Sequence, residues 1–508
     1  MERYKGKGKI EKVKKKVNNN VHLRDIPSVN LLLQSDQGKK LVLEYSHEVV
    51  LEAIRESIER FRQNQVKLAK EQKLGLEERA EVKERAEVKE RAEDKRAKKE
   101  ENEDIQEGIL NVAKKMIEEK FAPSLKRTIN GTGTIIHTNL GRAKLSPVVK
   151  EALLDAAFSF SNLEYDIHEG GRGSRYQHLE ETLCQLTGAQ GALVVNNNAA
   201  AIMLVLDTIG KGKEVIVSRG ELVEIGGSFR VPEIIELSGC NLKEVGTTNK
   251  THIFDYERAI GEETGAILKV HCSNYKITGF TKSVAIEELS TISRDIPLIY
   301  DMGSGMLINL EKYGLPYEMT VRDSLEQGAD IVTFSSDKVL GGPQGGIILG
   351  KKKYIDAMKK NQLTRTLRVE KMTIATLEAT LRLYYDEKHA VKEIPTLKML
   401  AATADELEEK AKALAKALSG LKEKLTVEVI DTTSQVGGGA YPGEEMKSKG
   451  VALSYSLLSA NQLSERLRKA PVPIISKIRN GRCELDVRTL EVSEFSEIVQ
   501  ALAKILIS

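Results

Sequence analysis

Apolar positions along this chain follow different rhythms in different stretches. In "SHEVVLEAIRESIERFRQNQ", residues 46 to 65, Val49, Val50, Ala53, Ile54, Ile58 and Phe61 recur at helical spacing. Ser46 stands where an N-cap would open that helix. Just ahead, "VHLRDIPSVNLLLQS" predicts a turn around Pro27 and a short apolar helix. After Pro123 the rhythm shortens. Short β-rich runs ("GALVVN", "EVIVS", "GAILKV", "PLIYD", "ADIVTF", "GGIILG") alternate with helical stretches such as "SPVVKEALLDAAF", "HLEETLCQLTG" and "VAIEELSTIS". That alternation predicts an α/β domain with a mostly parallel central sheet flanked by helices. Around residue 386 longer helices take over, as in "TADELEEKAKALAKALSGLKEKL". Strand-like "TVEVIDTT", "GVALSYSL" and "CELDVRTL" follow. A smaller C-terminal α+β domain fits them.

One stretch has no apolar stripe. "ERAEVKERAEVKERAEDK", residues 78 to 95, repeats every six residues. Six residues turn a helix by about 600°, so the valines do not align, and a coiled coil needs a heptad. Glu81/Arg85 and Glu87/Arg91 are four apart and support a solvated single helix. The expected organisation is a basic tail and small helical domain over 1–66, and a charged helical spacer over 67–107. A large α/β domain over 108–385 and the small α+β domain over 386–508 complete it.

Composition narrows the class without choosing the chemistry. With 508 residues, two or three domains can be built. A net charge of +3 is close to balance, so charge informs only where it clusters. The clearest cluster is the lysine-rich segment 3–16. Its plain reading is a solvated tail, and it also suits phosphates. No apolar run is long enough to span a bilayer, and no apolar core follows the basic start to make a secretory signal. The four cysteines (Cys184, Cys240, Cys272, Cys483) are scattered, which points to a reducing compartment and a cytoplasmic location.

Candidate chemistry gathers at predicted strand ends. In "TFSSDKVLGGPQGG", Lys338 sits between a strand and a glycine run that cannot hold a helix. It is either a surface lysine beside a turn or an amine kept from bulk water as a nucleophile. Asp301 closes the strand of "PLIYDMGSG". It is either a turn former or the partner of a protonated pyridine nitrogen. "GALVVNNNAAAIML" is a strand, a polar turn and a helix start. There Asn197, Asn198, Ala199 and Ala200 form a simple N-cap or a phosphate cup. Ser335 adds a hydroxyl three residues before Lys338. Phosphate cup, carboxylate and lysine, all at the carboxyl ends of parallel strands, is the order of a pyridoxal-phosphate enzyme. Arg142, Arg172, Arg175, Arg365 and Arg368 lie in or near glycine-rich or helical contexts, solvated or binding an anion. Arg365 and Arg368, three apart, are expected on one face of a helix.

Longer motifs carry a resemblance. "INGTGTIIHTNLGRA", "EGGRGSRYQHLEETLCQLTGA", "VVNNNAAAIML", "SRGELVEIGGSFRVPEI", "KVHCSNYKITGFT", "DMGSG", "FSSDKVLGGPQGG" and "RTLRVEKMT" resemble the bacterial selenocysteine synthases, the L-seryl-tRNA(Sec) selenium transferases. The likeness runs from about Leu23 to the C-terminus, apart from the repeat spacer. It implies a fold-type I pyridoxal-phosphate-dependent transferase with Lys338 as the cofactor lysine and Asp301 at the ring nitrogen. It implies seryl-tRNA(Sec) and selenophosphate as substrates, with a dehydroalanyl-tRNA stage. Arg142, Arg365 and Arg368 map onto the anion site for selenophosphate, and Asp337 is a candidate acid or electrostatic contributor. The resemblance further implies a ring-shaped homo-oligomer, a decamer by likeness, whose N-terminal domain takes the tRNA. The alternative is a pyridoxal-phosphate lyase of a small amino acid or amino sugar that needs no tRNA.

Overall fold

The computed structural model describes residues 26–76, 93–227, 229–421 and 423–507. The basic tail and most of the hexapeptide repeat lie outside the described residues. The chain divides into two compact units, 1–126 and 127–508.

The first unit is helical: α1 (Val29–Gln34), α2 (Asp36–Tyr45), α3 (His47–Leu76) and α4 (Glu93–Phe121). Ser28 and Ser35 cap α1 and α2 by accepting from Leu31 N and Gly38 N. Val50, Ala53, Ile54 and Ile58 of α3 pack on Ile105, Ile109, Leu110, Ala113 and Ile117 of α4. Ser57 Oγ donates to Ile109 O at 2.7 Å across that seam. The expected start of the α/β domain at residue 108 therefore falls inside α4. The apolar stripe of α4 runs past the charged spacer without a compositional break, and its partner is α3.

The second unit holds two sheets. In chain order its strands begin with β1 (Ile129–Gly131), β2 (Thr134–Ile136), the short hairpin β3 (Tyr165–Asp166) and β4 (Gly171–Arg172), and β5 (Gly191–Val195). Then come β6 (Glu214–Ser218), the hairpin β7 (Glu224–Ile225) and β8 (Phe229–Arg230), β9 (Asn241–Val245), β10 (Thr264–Val270) and β11 (Leu298–Gly303). β12 (Ile331–Ser335), β13 (Gly346–Gly350), β14 (Leu425–Gly437), β15 (Glu445–Tyr455), β16 (Ile474–Arg479) and β17 (Arg482–Asp486) complete the set. The large sheet has the order β5-β13-β12-β11-β10-β6-β9. Only β13 runs against the rest. Apolar side chains cover both of its faces, as a sheet layered between helices requires. After α5 (Lys150–Phe158) and α6 (Gln177–Thr187) comes α7 (Asn198–Ile209), which follows β5 directly and lies over β12 and β13.

The small sheet has the order β1-β16-β17-β15-β14-β2. Its outer strands come from the start of the second unit, so the small domain is not wholly C-terminal. Ala390, Ile394, Leu397 and Leu400 pack with the large domain's core, whereas Leu407, Ala411, Leu414 and Leu418 build the small one. The break in packing thus falls after the expected residue 386. Among the described residues no helix is long and apolar enough to cross a membrane.

Candidate active site

The carboxyl ends of the parallel strands bring the singled-out residues together. β5 ends at Val195, and residues 196–198 turn the chain into α7. Asn197 is the N-cap, its Oδ1 accepting from Ala200 N at 2.9 Å. Ala200 is therefore already engaged. The N–H groups of Asn198 and Ala199, in the first turn, have no intrahelical acceptor and carry the positive end of the helix dipole. The turn is tightly backed: a Cβ on Gly346 of β13 would come within 2.1 Å of Asn197 O. Glycine lets the strand pass.

Asn198 turns its side chain to β11. Its Nδ2 donates to Asp301 Oδ1 at 2.7 Å, and Thr333 Oγ1 of β12 donates to the same oxygen at 3.2 Å. Asp301 is 6% exposed. Burial raises its carboxyl above the usual range, against the opposing pull of Asn198 and Lys338. A buried carboxylate of this kind is completed by a cation. Ile331, Thr333 and Ser335 alternate onto the face of β12 that α7 covers, and Ser335 is buried at its end.

Lys338 follows two residues after the buried Ser336, whose hydroxyl donates to Pro343 O. Only 9% of Lys338 is exposed. Burial lowers its ammonium below the ordinary lysine value, although Asp301 opposes the shift. Among the described residues Nζ has no ion pair. Glycine backbone lies on two sides of it: a Cβ built on Gly303 or Gly439, both at positive φ, would come 3.8 Å or 3.6 Å from Nζ. Beside the lysine, Asp337 accepts from Arg142 Nη1 at 2.8 Å, and its other oxygen, Oδ1, is buried without a partner.

The arginines are less uniform than their spacing predicts. Arg365 lies on the one-turn helix Leu363–Thr366, exposed and without an ion pair among the described residues. Arg368 is not on that helix. The chain there bridges to Val195, and Asn196 N donates to Leu367 O at 2.9 Å. Pairing with the end of β5 pulls the backbone out of helical form and sets the segment against the asparagine turn. Arg368 Nη1 lies 3.8 Å from Glu164, which Arg175 holds more tightly at 2.6 Å. Arg172 is exposed nearby, and Arg142 is committed to Asp337.

Sequence reasoning passed over His271, Ser304, Glu318 and Tyr441. His271 and Ser304 left a signal: each directly follows a strand, β10 or β11, at the same sheet edge. A cavity of about 540 Å³ opens beyond β6, β9 and β10 and is lined by Glu221, Lys269, His271, Tyr300, Glu318 and Tyr441 among others. Nine buried side-chain polar atoms of the described residues have no hydrogen-bond partner. Seven belong to His137, Asn198, His271, Ser304, Glu318, Asp337 and Tyr441, all around Lys338 or this cavity. Unpaired buried polar atoms are costly, so this concentration marks a place shaped for a polar guest.

His271 also yields a prediction. Burial, reinforced by Lys269, drives its imidazole down to about 4. An unfolded histidine takes its proton near 6.5. Between those values the unfolded chain binds a proton that the folded chain refuses. The stability fully present above about pH 6.5 is therefore lost as pH falls toward about 4. His271→Gln should flatten the fall of melting temperature over that window. An unchanged slope would assign the acid sensitivity to other groups.

Residues 128–491 match the family model described as L-seryl-tRNA selenium transferase, and residues 23–62 match selenocysteine synthase N terminal. The chain is 49% identical over 484 residues to the L-seryl-tRNA(Sec) selenium transferase of Caldanaerobacter subterraneus subsp. tengcongensis, covering 95% of this chain and 98% of that one. The chain belongs to the L-seryl-tRNA selenium transferase family. The Alkaliphilus metalliredigens L-seryl-tRNA(Sec) selenium transferase is 56% identical over 381 residues, 75% of this chain and 82% of that one. Among solved structures, D-glucosaminate-6-phosphate ammonia-lyase aligns over 77% of this chain and 98% of its own, with TM-score 0.54 and 23% identity. That likeness speaks to the fold. It places this selenium transferase family member on the architecture described above.

Proposed function

We propose that the protein converts L-seryl-tRNA(Sec) to L-selenocysteinyl-tRNA(Sec), with selenophosphate as selenium donor and pyridoxal 5′-phosphate as cofactor. The observation that carries the reading is the buried amine of Lys338, without an ion pair among the described residues, beside the buried Asp301 with its Asn198 partner and the open end of α7. Family membership gives that chemistry its substrate.

The residues fit the cofactor by charge and by unmet hydrogen bonds. The N–H groups of Asn198 and Ala199, with the Ser335 hydroxyl, would hold the phosphate, and Asn197 fixes the turn that aims them. Asp301 would accept from the protonated ring nitrogen, the cation that its buried carboxylate calls for. Pyridoxal phosphate, when bound, supplies an electron sink for the pair left at Cα of the seryl group. Lys338 would hold the cofactor and take the Cα proton. Burial favours its neutral amine, the form able to do both. Asp337 anchors Arg142 at the mouth of the site. Arg142, Arg365 and Arg368 would receive selenophosphate. Arg365 is the one without an ion pair among the described residues, while Arg368 shares Glu164 with Arg175.

The helical unit built on α1–α3 would take the tRNA. A lyase of small substrates has no use for it. The bare Phe158 and Phe160 suit a second copy of the chain, as in a cytoplasmic homo-oligomer. Purified protein given seryl-tRNA(Sec) and selenophosphate should form selenocysteinyl-tRNA(Sec). No product with both substrates present would refute the reading. Arg365→Gln should leave stability within about 0.5 kcal/mol and raise the half-saturating selenophosphate concentration roughly 10- to 100-fold, the loss of a charge-assisted hydrogen bond. An unchanged concentration dependence would move the anion to Arg172 or Arg175.

A further inference from the structure

Glu318 has no place in the roles above. It lies in the loop between Glu311–Tyr313 and the helix Val321–Glu326, and it lines the cavity with His271, Tyr300 and Tyr441. Its Oε2 accepts from the backbone N–H of Tyr441 at 3.0 Å, while Oε1 is closed off from solvent without a partner. Burial raises this carboxyl above the usual glutamate range, against the Tyr441 N–H. The Ser304 hydroxyl is close enough to oppose the rise, yet it stands outside hydrogen-bond geometry. No cation among the described residues pairs with Glu318. Lys269, on the same cavity, is held by Glu221 at 2.8 Å, and Lys276 by Glu444 at 3.2 Å.

The carboxyl and the Lys338 amine flank one turn of chain. Gly439 backs Nζ, and Tyr441, two residues on, is the residue bonded to Glu318. From the other side, the carbonyl of Ser304 accepts from Val339 N, the residue after the lysine. A buried carboxyl with one unpaired oxygen and a buried amine thus flank the same glycine-rich turn.

We propose that Glu318 is the general acid that protonates the β-hydroxyl of the seryl group as it leaves, an assignment that rests on the function proposed above. The Cα proton passes to Lys338 Nζ, and its bonding pair becomes the Cα=Cβ bond. The Cβ–O bond breaks with its pair on oxygen. That oxygen takes the proton of Glu318 and departs as water. The carboxylate left behind is reset by the proton that Lys338 carries, so seryl gives dehydroalanyl and water with no further reactant. Hydroxide is a poor leaving group, and a positioned acid accelerates such a step about 10²- to 10⁴-fold. Asp337 is less suited, because it is already ion-paired with Arg142, whereas Glu318 faces no cation among the described residues. The buried Tyr441 phenol is the weaker acid, since burial pushes it up further.

The test uses full-length holoenzyme and seryl-tRNA(Sec) deuterated at Cα, without selenophosphate. Glu318→Gln keeps the shape and an acceptor for Tyr441 N but has no proton to give. It should exchange the α-deuterium with solvent within about twofold of wild type, at unchanged melting temperature, while water loss falls by about 10²- to 10⁴-fold. Glu318→Asp should recover part of that loss. On cofactor-free protein, the infrared difference between wild type and Glu318→Gln should show a protonated carboxyl persisting above about pH 4.3, where free glutamate ionises. Water loss at the wild-type rate in Glu318→Gln would overturn the proposal. So would parallel loss of exchange and water loss, or a carboxyl already ionised at that pH. No α-exchange in the wild type would overturn the functional reading itself, and this proposal with it.

Discussion

Replacing Lys338 with alanine should bleach the purified protein and stop turnover. Losing the proton acceptor alone is worth about 10²- to 10⁴-fold, and losing the cofactor's covalent anchor adds to that. Lys269 and Lys276, on the adjoining cavity, are each tied to a glutamate, and Arg142 cannot act as a base. Visible absorbance and selenocysteinyl-tRNA(Sec) formation are the two measurements. A small alkylamine added to the mutant should return a fraction of the α-proton exchange, because the site keeps the walls that confine it. Undiminished absorbance and activity in Lys338→Ala would move the site elsewhere.

Removing the first unit should separate tRNA binding from cofactor binding. A chain of residues 127–508 should stay folded and coloured, while its affinity for tRNA(Sec) falls by at least about 10²-fold with the loss of several phosphate contacts. Where the cut is made matters. Cutting at residue 66 would strip α1, α2 and most of α3 and leave Ile109, Leu110, Ala113 and Ile117 of α4 without a partner. Each of the larger side chains would forgo about 1.5–3 kcal/mol of burial. A chain cut there is expected to aggregate, and one with the longer deletion is not. Full tRNA affinity in residues 127–508 would refute the division of labour.

The contrast between these two cuts shows what could be read from the residues alone. Lys338, Asp301 and the asparagine turn were legible because each follows a short apolar run at a strand end, a local signature. Glu318 and Tyr441 were not, because their importance comes from facing one another across 123 residues of chain. Residue 108 falls inside α4 because the charged spacer and the packing half of that helix share one helical composition. Arg368 was placed on a helix because spacing alone cannot reveal that β5 captures its backbone. The outer strands of the small sheet, β1 and β2, were invisible for the same reason: β2 finds its partner in β14, Thr134 beside Gln435.

That last pairing has a consequence during synthesis. Thr134 leaves the ribosome about 300 residues before Gln435, so the small sheet cannot close until most of the chain has been made. β2 leads directly to His137 and Arg142, and β14 ends at Gly437, just before the glycine that backs the lysine amine. The candidate site is thus finished late in translation. A chain stopped before Gly437 carries Lys338, Asp301 and the end of α7, but not the wall behind the amine. Until that wall arrives, the nascent protein holds an unpaired strand edge and a half-open site, the kind of surface that recruits chaperones.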